Sequence, residues 1–204
     1  MRVTVAQLAS IPDKDEVLRL VEEAVSDSRG SDLVVFPEGA MHDFRPRFDL
    51  ASVAESLDGR FVTAVADLAR RYATTIVIGI WESTETERVY NTLVVIDSKG
   101  DLVATYRKIH LFASFGFAES DRVVPGPIET SIVEIGGLRV GLMTCYDLRF
   151  PELTRALSAA GAEVIAIPAA WVAGPHKVDH WLTLLRARAI ENTKDANIAR
   201  KRLT

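Results

Sequence analysis

The feature that most constrains the fold of this chain is an alternation of short apolar runs with amphipathic helical segments. Apolar runs of this length are typical of buried strands, and the segments between them place apolar residues on one face of a helix. Strands are predicted at 3–8, 33–36, 75–81 and 163–169, and helices are predicted after Asp13, from about Gly59, from Pro151 and over 178–190. Helices between strands favour a layered α/β domain.

Two stretches interrupt this alternation with hairpin patterns. The turn 98–100 separates the apolar runs 91–97 and 101–107, and Gly136-Gly137 separates 132–135 from 138–143. Because a hairpin pairs antiparallel strands, the sheets cannot be wholly parallel. The sequence therefore predicts a mixed-sheet α/β domain, with no repeat or linker to divide it.

Composition limits the classes of partner. The 204 residues include 48% hydrophobic ones, enough for one sizeable core, and the 24 basic and 28 acidic residues are interspersed. Without a basic face we expect neither nucleic acid nor a membrane surface as partner. A single cysteine excludes an internal disulfide, the N-terminal segment does not resemble a secretion leader, and no apolar run approaches the roughly 20 residues of a membrane span. The expected location is the cytoplasm.

The single cysteine lies in the segment GLMTCYDLRF, where an apolar run ends and charged residues follow at once. An isolated cysteine is more often a small buried hydrophobe than a nucleophile. The position of Cys145 points the other way, because it follows a strand end. The helix predicted to begin near Pro151 would direct N–H groups towards it, which favours a thiolate.

Two further polar residues also come at the ends of predicted strands. Glu38 follows four apolar residues and a proline, and Lys108 ends the second strand of a hairpin. Taken singly, Glu38 could be a solvated loop residue and Lys108 a charged strand end. Together with Cys145 they place an acid, an amine and a thiol at the C-terminal ends of different strands, where layered sheets usually carry their sites.

Three segments carry a family resemblance: VVFPEG around Glu38, YRKIHLF around Lys108 and CYDLRFPEL around Cys145. In this order and at these spacings they resemble the signatures of the nitrilase, or carbon-nitrogen hydrolase, superfamily. With the segment FGFAES they are most similar to its omega-amidase branch. The resemblance covers roughly residues 1–193 and implies a four-layer αββα sandwich with mixed sheets, commonly dimerised through a helical face.

The resemblance also implies roles for individual residues. The base of the family falls on Glu38, its lysine on Lys108 and its nucleophile on Cys145, and a further glutamate that orients the catalytic groups and the substrate amide falls on Glu119. In the expected reaction Cys145 attacks an amide carbon after Glu38 takes the thiol proton, because a free thiol is mostly protonated at neutral pH. Lys108 and the backbone N–H of Tyr146 stabilise the oxyanion. No metal or other cofactor is required.

The expected function is therefore cysteine-dependent hydrolysis of a small carboxamide to the acid and ammonia through a thioester acyl-enzyme. An N-carbamoyl amine hydrolase or a nitrilase of the same superfamily would use the same four residues and stays open. A different class of function is an inactive, truncated paralogue that acts as a binding protein.

Several single residues allow other interpretations. His110 could pair with Cys145 as in papain-like hydrolases, although their local signatures are absent. His176 and His180 have the spacing of two metal-binding histidines on a helix, but HKVDH is not HExxH and no third ligand is evident. Trp171 is more often a core residue by type, yet the family resemblance places its loop beside the nucleophile, as a substrate contact.

The C-terminal segment departs from the family pattern. Similar proteins continue after RARAIENT with a strand and several dozen more residues, whereas this chain continues with the polar, basic segment KDANIARKRLT. No strand or cap is predicted there. We expect residues 1–193 to form an incomplete carbon-nitrogen hydrolase domain and residues 194–204 to form an atypical, disordered tail. A homodimer is expected if the fold is complete enough.

Overall fold

The computed structural model describes residues 1–9, 11–44, 48–114, 116–192 and 195–197. The helices are α1 Lys14–Asp27, α2 Arg60–Tyr72, α3 Pro151–Ala159 and α4 Lys177–Asn192. The strands are β1 Val3–Val5, β2 Leu33–Val35, β3 Thr75–Glu82, β4 Tyr90–Ile96, β5 Leu102–Arg107, β6 Ala113–Ser114, β7 Phe117–Ala118, β8 Ser131–Ile135, β9 Leu138–Leu142, β10 Val164–Ala166 and β11 Asp195–Asn197. Short 3₁₀ helices span Glu119–Asp121 and Cys145–Arg149.

The first sheet has the strand order β1-β2-β3-β4-β5. Its first three strands are parallel, with α1 and α2 as the crossover helices, and β3, β4 and β5 are antiparallel. The hairpin predicted around the turn 98–100 is confirmed as β4 and β5.

The second sheet has the order β11-β10-β9-β8. The hairpin predicted around Gly136-Gly137 is confirmed as β8 and β9, while β9, β10 and β11 run parallel, with α3 and α4 between them. A separate two-stranded ladder of β6 and β7 was not expected from the sequence.

Burial on alternate sides of β2 shows how the layers stack. Val34 packs into a core with α1, α2 and one face of the first sheet. Leu33 and Val35 point the other way and join Val140 and Leu142 of β9 in a second core, which α3 and α4 close from outside. The architecture is therefore the expected four-layer αββα sandwich, and the second core holds the two sheets together.

The helices begin where the sequence indicates. Asp13 caps α1 by accepting hydrogen bonds from the backbone N–H groups of Asp15 and Glu16. Pro151 occupies the first turn of α3, where its missing N–H costs nothing. Among the described residues, no helix is both long and apolar enough to cross a membrane.

The C-terminal segment differs from the sequence prediction in one respect. The sequence predicted no strand after Thr193, but Asp195–Asn197 pair with β10 in parallel register, Val164 lying opposite Asp195. The backbone groups of Asp195–Asn197 therefore extend the second sheet without the apolar alternation that sequence patterns detect. The disordered tail predicted at 194–204 otherwise lies outside the described residues, and the domain boundary at 193 stays a prediction.

Candidate active site

Four polar residues from separate segments meet between the two sheets. Glu38 lies three residues beyond β2 and Lys108 directly follows β5. Glu119 opens the first 3₁₀ helix and Cys145 opens the second, just beyond β9. All four side chains are buried, so the residues that the sequence singled out lie together.

The Lys108 ammonium lies between the two carboxylates. Its Nζ is 2.9 Å from Oε1 of Glu38 and 2.8 Å from Oε2 of Glu119. Burial alone would lower the pKa of Lys108, but the charges of the two glutamates outweigh it and the pKa is raised well above its usual value. Lys108 is therefore a fixed cation, and an ammonium with three N–H groups has one left for a further acceptor.

Backbone and amide groups fix the carboxylates in place. The Asn91 Nδ2 atom is 2.8 Å from Oε1 of Glu38 and 3.0 Å from Oε1 of Glu119. The N–H of Ala170 donates to Oε2 of Glu38 at 2.8 Å, and the N–H of Phe112 donates to Oε2 of Glu119 at 2.7 Å. Since Ala170 belongs to the second sheet's side of the core, Glu38 is held by groups from both sheets.

The backbone at Cys145 adopts a left-handed conformation, with φ 46°. Few residues other than glycine adopt this region, and such strain persists only where the surroundings enforce it. Here the N–H of Cys145 donates to the carbonyl of Pro168 at 2.9 Å. A sharp turn of this kind between strand and helix projects the side chain away from both.

The thiol lies beside Glu38 at the cavity, and the two groups shift each other's pKa. Burial raises the pKa of Cys145 well above its usual value, and the charge of Glu38 raises it further, against the opposing effect of Lys108. Burial would also raise the pKa of Glu38, but the charge and hydrogen bond of Lys108, with the Ala170 N–H, lower it overall. The resting pair is a neutral thiol beside an ionised carboxylate. The expectation that the helix start near Pro151 favours a thiolate is wrong, because burial and the carboxylate dominate.

Asp147 joins the cysteine turn to the strand that carries the lysine. Its Oδ2 accepts from the N–H of Thr144 at 2.9 Å and from the hydroxyl of Tyr106 at 2.6 Å. Its Oδ1 accepts from the N–H of His110 at 3.0 Å and lies 2.8 Å from Nδ1 of the same residue. Burial and the charge of Asp147 raise the pKa of Tyr106, which therefore stays a donor. One buried side chain thus fixes two of the segments that supply the site.

His110 does not act as the partner of the thiol. Its imidazole bonds to Asp147 and stacks on Phe150, with the ring centroids 3.7 Å apart. The group that acts on the thiol is instead Glu38, whose charge raises the pKa of Cys145. The papain-like pairing weighed from the sequence is therefore not the arrangement found.

The four residues open into a cavity of about 390 Å³. Its wall is largely aromatic, formed by Phe44, Trp81, Phe112, Phe117, Tyr146 and Trp171. Arg149 and Lys177 add positive charge to the lining, and the Arg149 guanidinium lies over the rings of Tyr146 and Trp171, at 5.8 and 5.2 Å from their centroids.

Trp171 fits both interpretations weighed from the sequence. It is buried, its Nε1 donates to the carbonyl of Lys177 at 2.9 Å, and its ring packs against Trp181 with centroids 4.9 Å apart. It also lines the cavity together with Tyr146. The indole is therefore a fixed wall of the site.

Sequence reasoning missed several groups at this site. Asn91 contacts both glutamates, and its only signal was a polar pair, Asn91-Thr92, opening an otherwise apolar strand. Phe44, Trp81 and Arg149 lie far from one another along the chain or inside a motif read for another residue, so no spacing pointed to them.

His176 and His180, which have the spacing of metal-binding histidines, form no group of three possible ligands within the described part of the chain. Their ring centroids are 6.4 Å apart on adjacent turns. Within the described ranges no cluster of three histidine, cysteine, aspartate or glutamate side chains surrounds a position for a metal ion.

A cysteine, a lysine and two glutamates gathered between the sheets of an αββα sandwich define a nitrilase-type hydrolase of carbon-nitrogen bonds. Residues 2–199 match the carbon-nitrogen hydrolase family, and the chain belongs to that family.

Relatives and solved structures agree with this assignment. A hydrolase of Mycobacterium tuberculosis is 40% identical over 94% of this chain and 69% of its own length. The human deaminated glutathione amidase is 37% identical over 93% of this chain and 61% of its own length. The chain thus spans about two thirds of the length of these relatives.

Solved structures of an amidase superpose on this chain. A crystal structure of an amidase from Nesterenkonia sp. superposes with a TM-score of 0.87 at 27% identity, covering 98% of this chain and 76% of that one. In a mutant structure of a Nesterenkonia amidase, with TM-score 0.87, 26% identity and coverage of 98% and 76%, the acetamide moiety of fluoroacetamide is covalently attached at the active-site cysteine.

Proposed function

We propose that this chain hydrolyses the amide bond of a small carboxamide, giving the acid and ammonia through a thioester on Cys145. The observation that carries the proposal is a neutral thiol beside the ionised Glu38 at the wall of an aromatic cavity. Such a pair can generate the nucleophile at the moment of attack. The similarity to amidases supports amide bonds as the target.

In the first half of the reaction Glu38 removes the proton from Sγ of Cys145 as the sulfur attacks the carbonyl carbon. The carbonyl oxygen becomes an oxyanion, for which the remaining N–H of Lys108 and the backbone N–H of Tyr146 are the proposed donors. Tyr146 lies in the first turn of a 3₁₀ helix, where N–H groups have no acceptor within the helix. Donors fixed before the reaction stabilise the developing charge without reorganisation.

In the second half the proton on Glu38 passes to the leaving nitrogen, the C–N bond breaks and ammonia departs. Glu38 then takes a proton from a water molecule, whose oxygen attacks the thioester carbon. The C–S bond breaks, the acid leaves, and the proton returns to the thiolate. Glu38 acts as the base or acid in each step, and the hydrogen bonds from Ala170 and Lys108 hold it in one position.

Glu119 is proposed to orient Lys108 and the substrate amide rather than to transfer protons. Its Oε2 already accepts from Lys108 and from the N–H of Phe112, so its position is set before substrate binds. Tyr146 and Trp171 are proposed substrate contacts because both line the cavity. An amide whose other end carries a carboxylate would also meet Arg149 and Lys177.

The test is ammonia release from a panel of carboxamides, with and without a distal carboxylate, together with ureides and nitriles. We expect turnover of carboxamides, faster for those with a carboxylate, and none by Cys145→Ala, whose methyl group cannot attack a carbonyl. Turnover of ureides or nitriles alone would assign the chain to the corresponding branch of the family. No turnover of any class, by a folded protein, would leave a binding role.

A further inference from the structure

Asn91 joins the two carboxylates of the site from the centre of the first sheet. The residue is 1% exposed, at the start of β4. Its Nδ2 lies within hydrogen-bond distance of Glu38 and Glu119, and its backbone carbonyl accepts from the N–H of Lys108 at 2.8 Å. Because ionised carboxylates only accept hydrogen bonds, the amide nitrogen and not the oxygen must face them. The chemistry thus fixes the orientation of this side chain.

Counting acceptor sites shows what the amide does to Glu38. A carboxylate oxygen offers about two lone-pair sites. Oε1 receives Lys108 Nζ at 2.9 Å and Asn91 Nδ2 at 2.8 Å, so both of its sites are engaged. Oε2 receives the N–H of Ala170 at 2.8 Å, which leaves one site. Only this site remains for the proton of Cys145.

Charge balance gives the amide a second effect. Two carboxylates face one ammonium, so the buried group carries one negative charge in excess. Asn91 donates one N–H to each glutamate, and because its amide is neutral it adds no second positive charge beside Lys108. The titratable groups around Glu38 are Lys108, Glu119 and Cys145, with Arg149 and Lys177 on the same cavity.

We propose that Asn91 is a positioning residue that makes Oε2 of Glu38 the proton acceptor for Cys145 and holds both glutamates in place through one N–H each. The inference rests on the proposed hydrolytic mechanism. Loss of the amide frees a site on Oε1, so that the thiol proton has two competing acceptors. It also removes a donor from the ionised form, which raises the pKa of Glu38.

The test uses the single thiol of the chain. The rate of alkylation of Cys145 by iodoacetamide is followed by intact mass across the acidic and neutral pH range. The proteins are the unchanged chain, Asn91→Ala, Asn91→Asp, Glu38→Gln and a control, Thr92→Val. Thr92 is the next residue on β4, is equally buried and donates to Glu82 at 2.7 Å, away from the glutamates of the site.

We expect the acid limb of the alkylation profile to move to higher pH by about one unit in Asn91→Ala, because a lost hydrogen bond to a charged group is worth about that much. In Thr92→Val the acid limb should stay at the same pH as in the unchanged chain. If Asn91→Ala does not fold, Asn91→Asp decides. Its carboxyl donates at most one hydrogen bond when protonated and repels Glu38 when ionised, so the limb moves the same way.

Two results would overturn the inference: an Asn91 variant whose profile superposes on that of the unchanged chain, or an equal shift in Thr92→Val. The Glu38→Gln protein separates this failure from failure of the mechanism. If that variant releases ammonia from a carboxamide as fast as the unchanged chain, Glu38 is not the base and the proposed function fails with it. If it is slower while Asn91→Ala is unshifted, only the role of Asn91 is lost.

Discussion

Lys108 is a buried cation whose removal changes more than one property of the site. Without it, Glu38 and Glu119 would be two buried carboxylates with no compensating charge, a situation in which one of them takes up a proton. The residue therefore stabilises the ground state of the site as well as the oxyanion, and a substitution has to be assessed by rate and stability together.

For Lys108→Met we expect kcat for a carboxamide to fall by about 100-fold or more, with a smaller change in KM, because a donor to the oxyanion is lost. Arg107→Ala serves as the control, since it removes an adjacent cation that pairs with Glu82. Steady-state kinetics on both proteins measure the effect. Near-normal kcat in Lys108→Met would return Lys108 to the role of a structural charge.

The raised pKa of Cys145 has a consequence for stability at alkaline pH. The folded thiol stays protonated while the unfolded thiol ionises above its usual pKa of 9.0, so the folded state binds more protons and stability falls as pH rises. The pKa of Lys108 is raised above 10.5, so its own contribution is lost only at still higher pH.

Between pH 9.0 and 10.5 we therefore expect Cys145→Ala to lose less unfolding free energy with pH than the unchanged chain. The difference in slope is at most about 1.4 kcal/mol per pH unit, the value for one proton. Urea unfolding at several pH values measures it. Parallel slopes for the two proteins would mean that the folded thiol ionises as easily as the unfolded one.

At the scale of elements, the segment that carries Glu38 lies directly across β3. A Cβ on Gly79 would come 2.4 Å from the N atom of Gly39, 2.7 Å from the carbonyl oxygen of Pro37 and 2.8 Å from Cα of Glu38. These are backbone atoms, so they cannot move without displacing the base. The close approach of the loop depends on a glycine in the strand beneath it.

We expect Gly79→Ala to reduce the rate of amide hydrolysis strongly and to destabilise the fold by about 1–3 kcal/mol, as overpacking does. Gly141→Ala is the matched control, because its Cβ would meet only the side chains of Ala162 and Leu157, at 3.1 Å. Thermal melting and amidase assays compare the two. Equal activity in both variants would contradict the dependence of Glu38 on Gly79.

Elements also show where sequence patterns succeed and fail. The helix after Asp13 and the hairpins β4-β5 and β8-β9 were predictable, because capping, periodicity and turn glycines are local signals. The strands β6 and β7 were not, because two residues are too few to show a periodic pattern, and β11 was not, because it pairs with β10, which is distant in the chain. At the site the motifs predicted the four residues that meet. Asn91 could not be predicted, because its role depends on two glutamates that only the fold brings next to it.

At the scale of the whole molecule, α4 presents an apolar face that the described chain does not cover. Val178 and Leu182 are exposed beside the buried Trp181 and Leu185, at the i, i+3, i+4, i+7 spacing of one helix face. Ile190 is also exposed, near the end of the helix. A helical face of this kind fits the homodimer expected from the family resemblance.

We expect analytical ultracentrifugation to give a dimer, and the double variant Val178→Lys and Leu182→Lys to give a monomer, because burying two lysines at an interface is costly. Val103→Lys, which replaces an exposed apolar residue on β5, is the control and should stay dimeric. A monomeric unchanged chain, or dissociation by the control variant as well, would contradict the assignment of α4.

The second core, between the two sheets, has a further consequence. Glu38 and Lys108 come from the first sheet and Cys145 from the second, so the packing of Val35 against residues such as Leu142 also sets how far the base lies from the sulfur. Natural selection on catalytic rate must then act on interior aliphatic residues that never touch a substrate. A substitution that thins this layer would be eliminated for lost activity well before it threatened folding, and the evolutionary rate of these positions should reflect chemistry as much as stability.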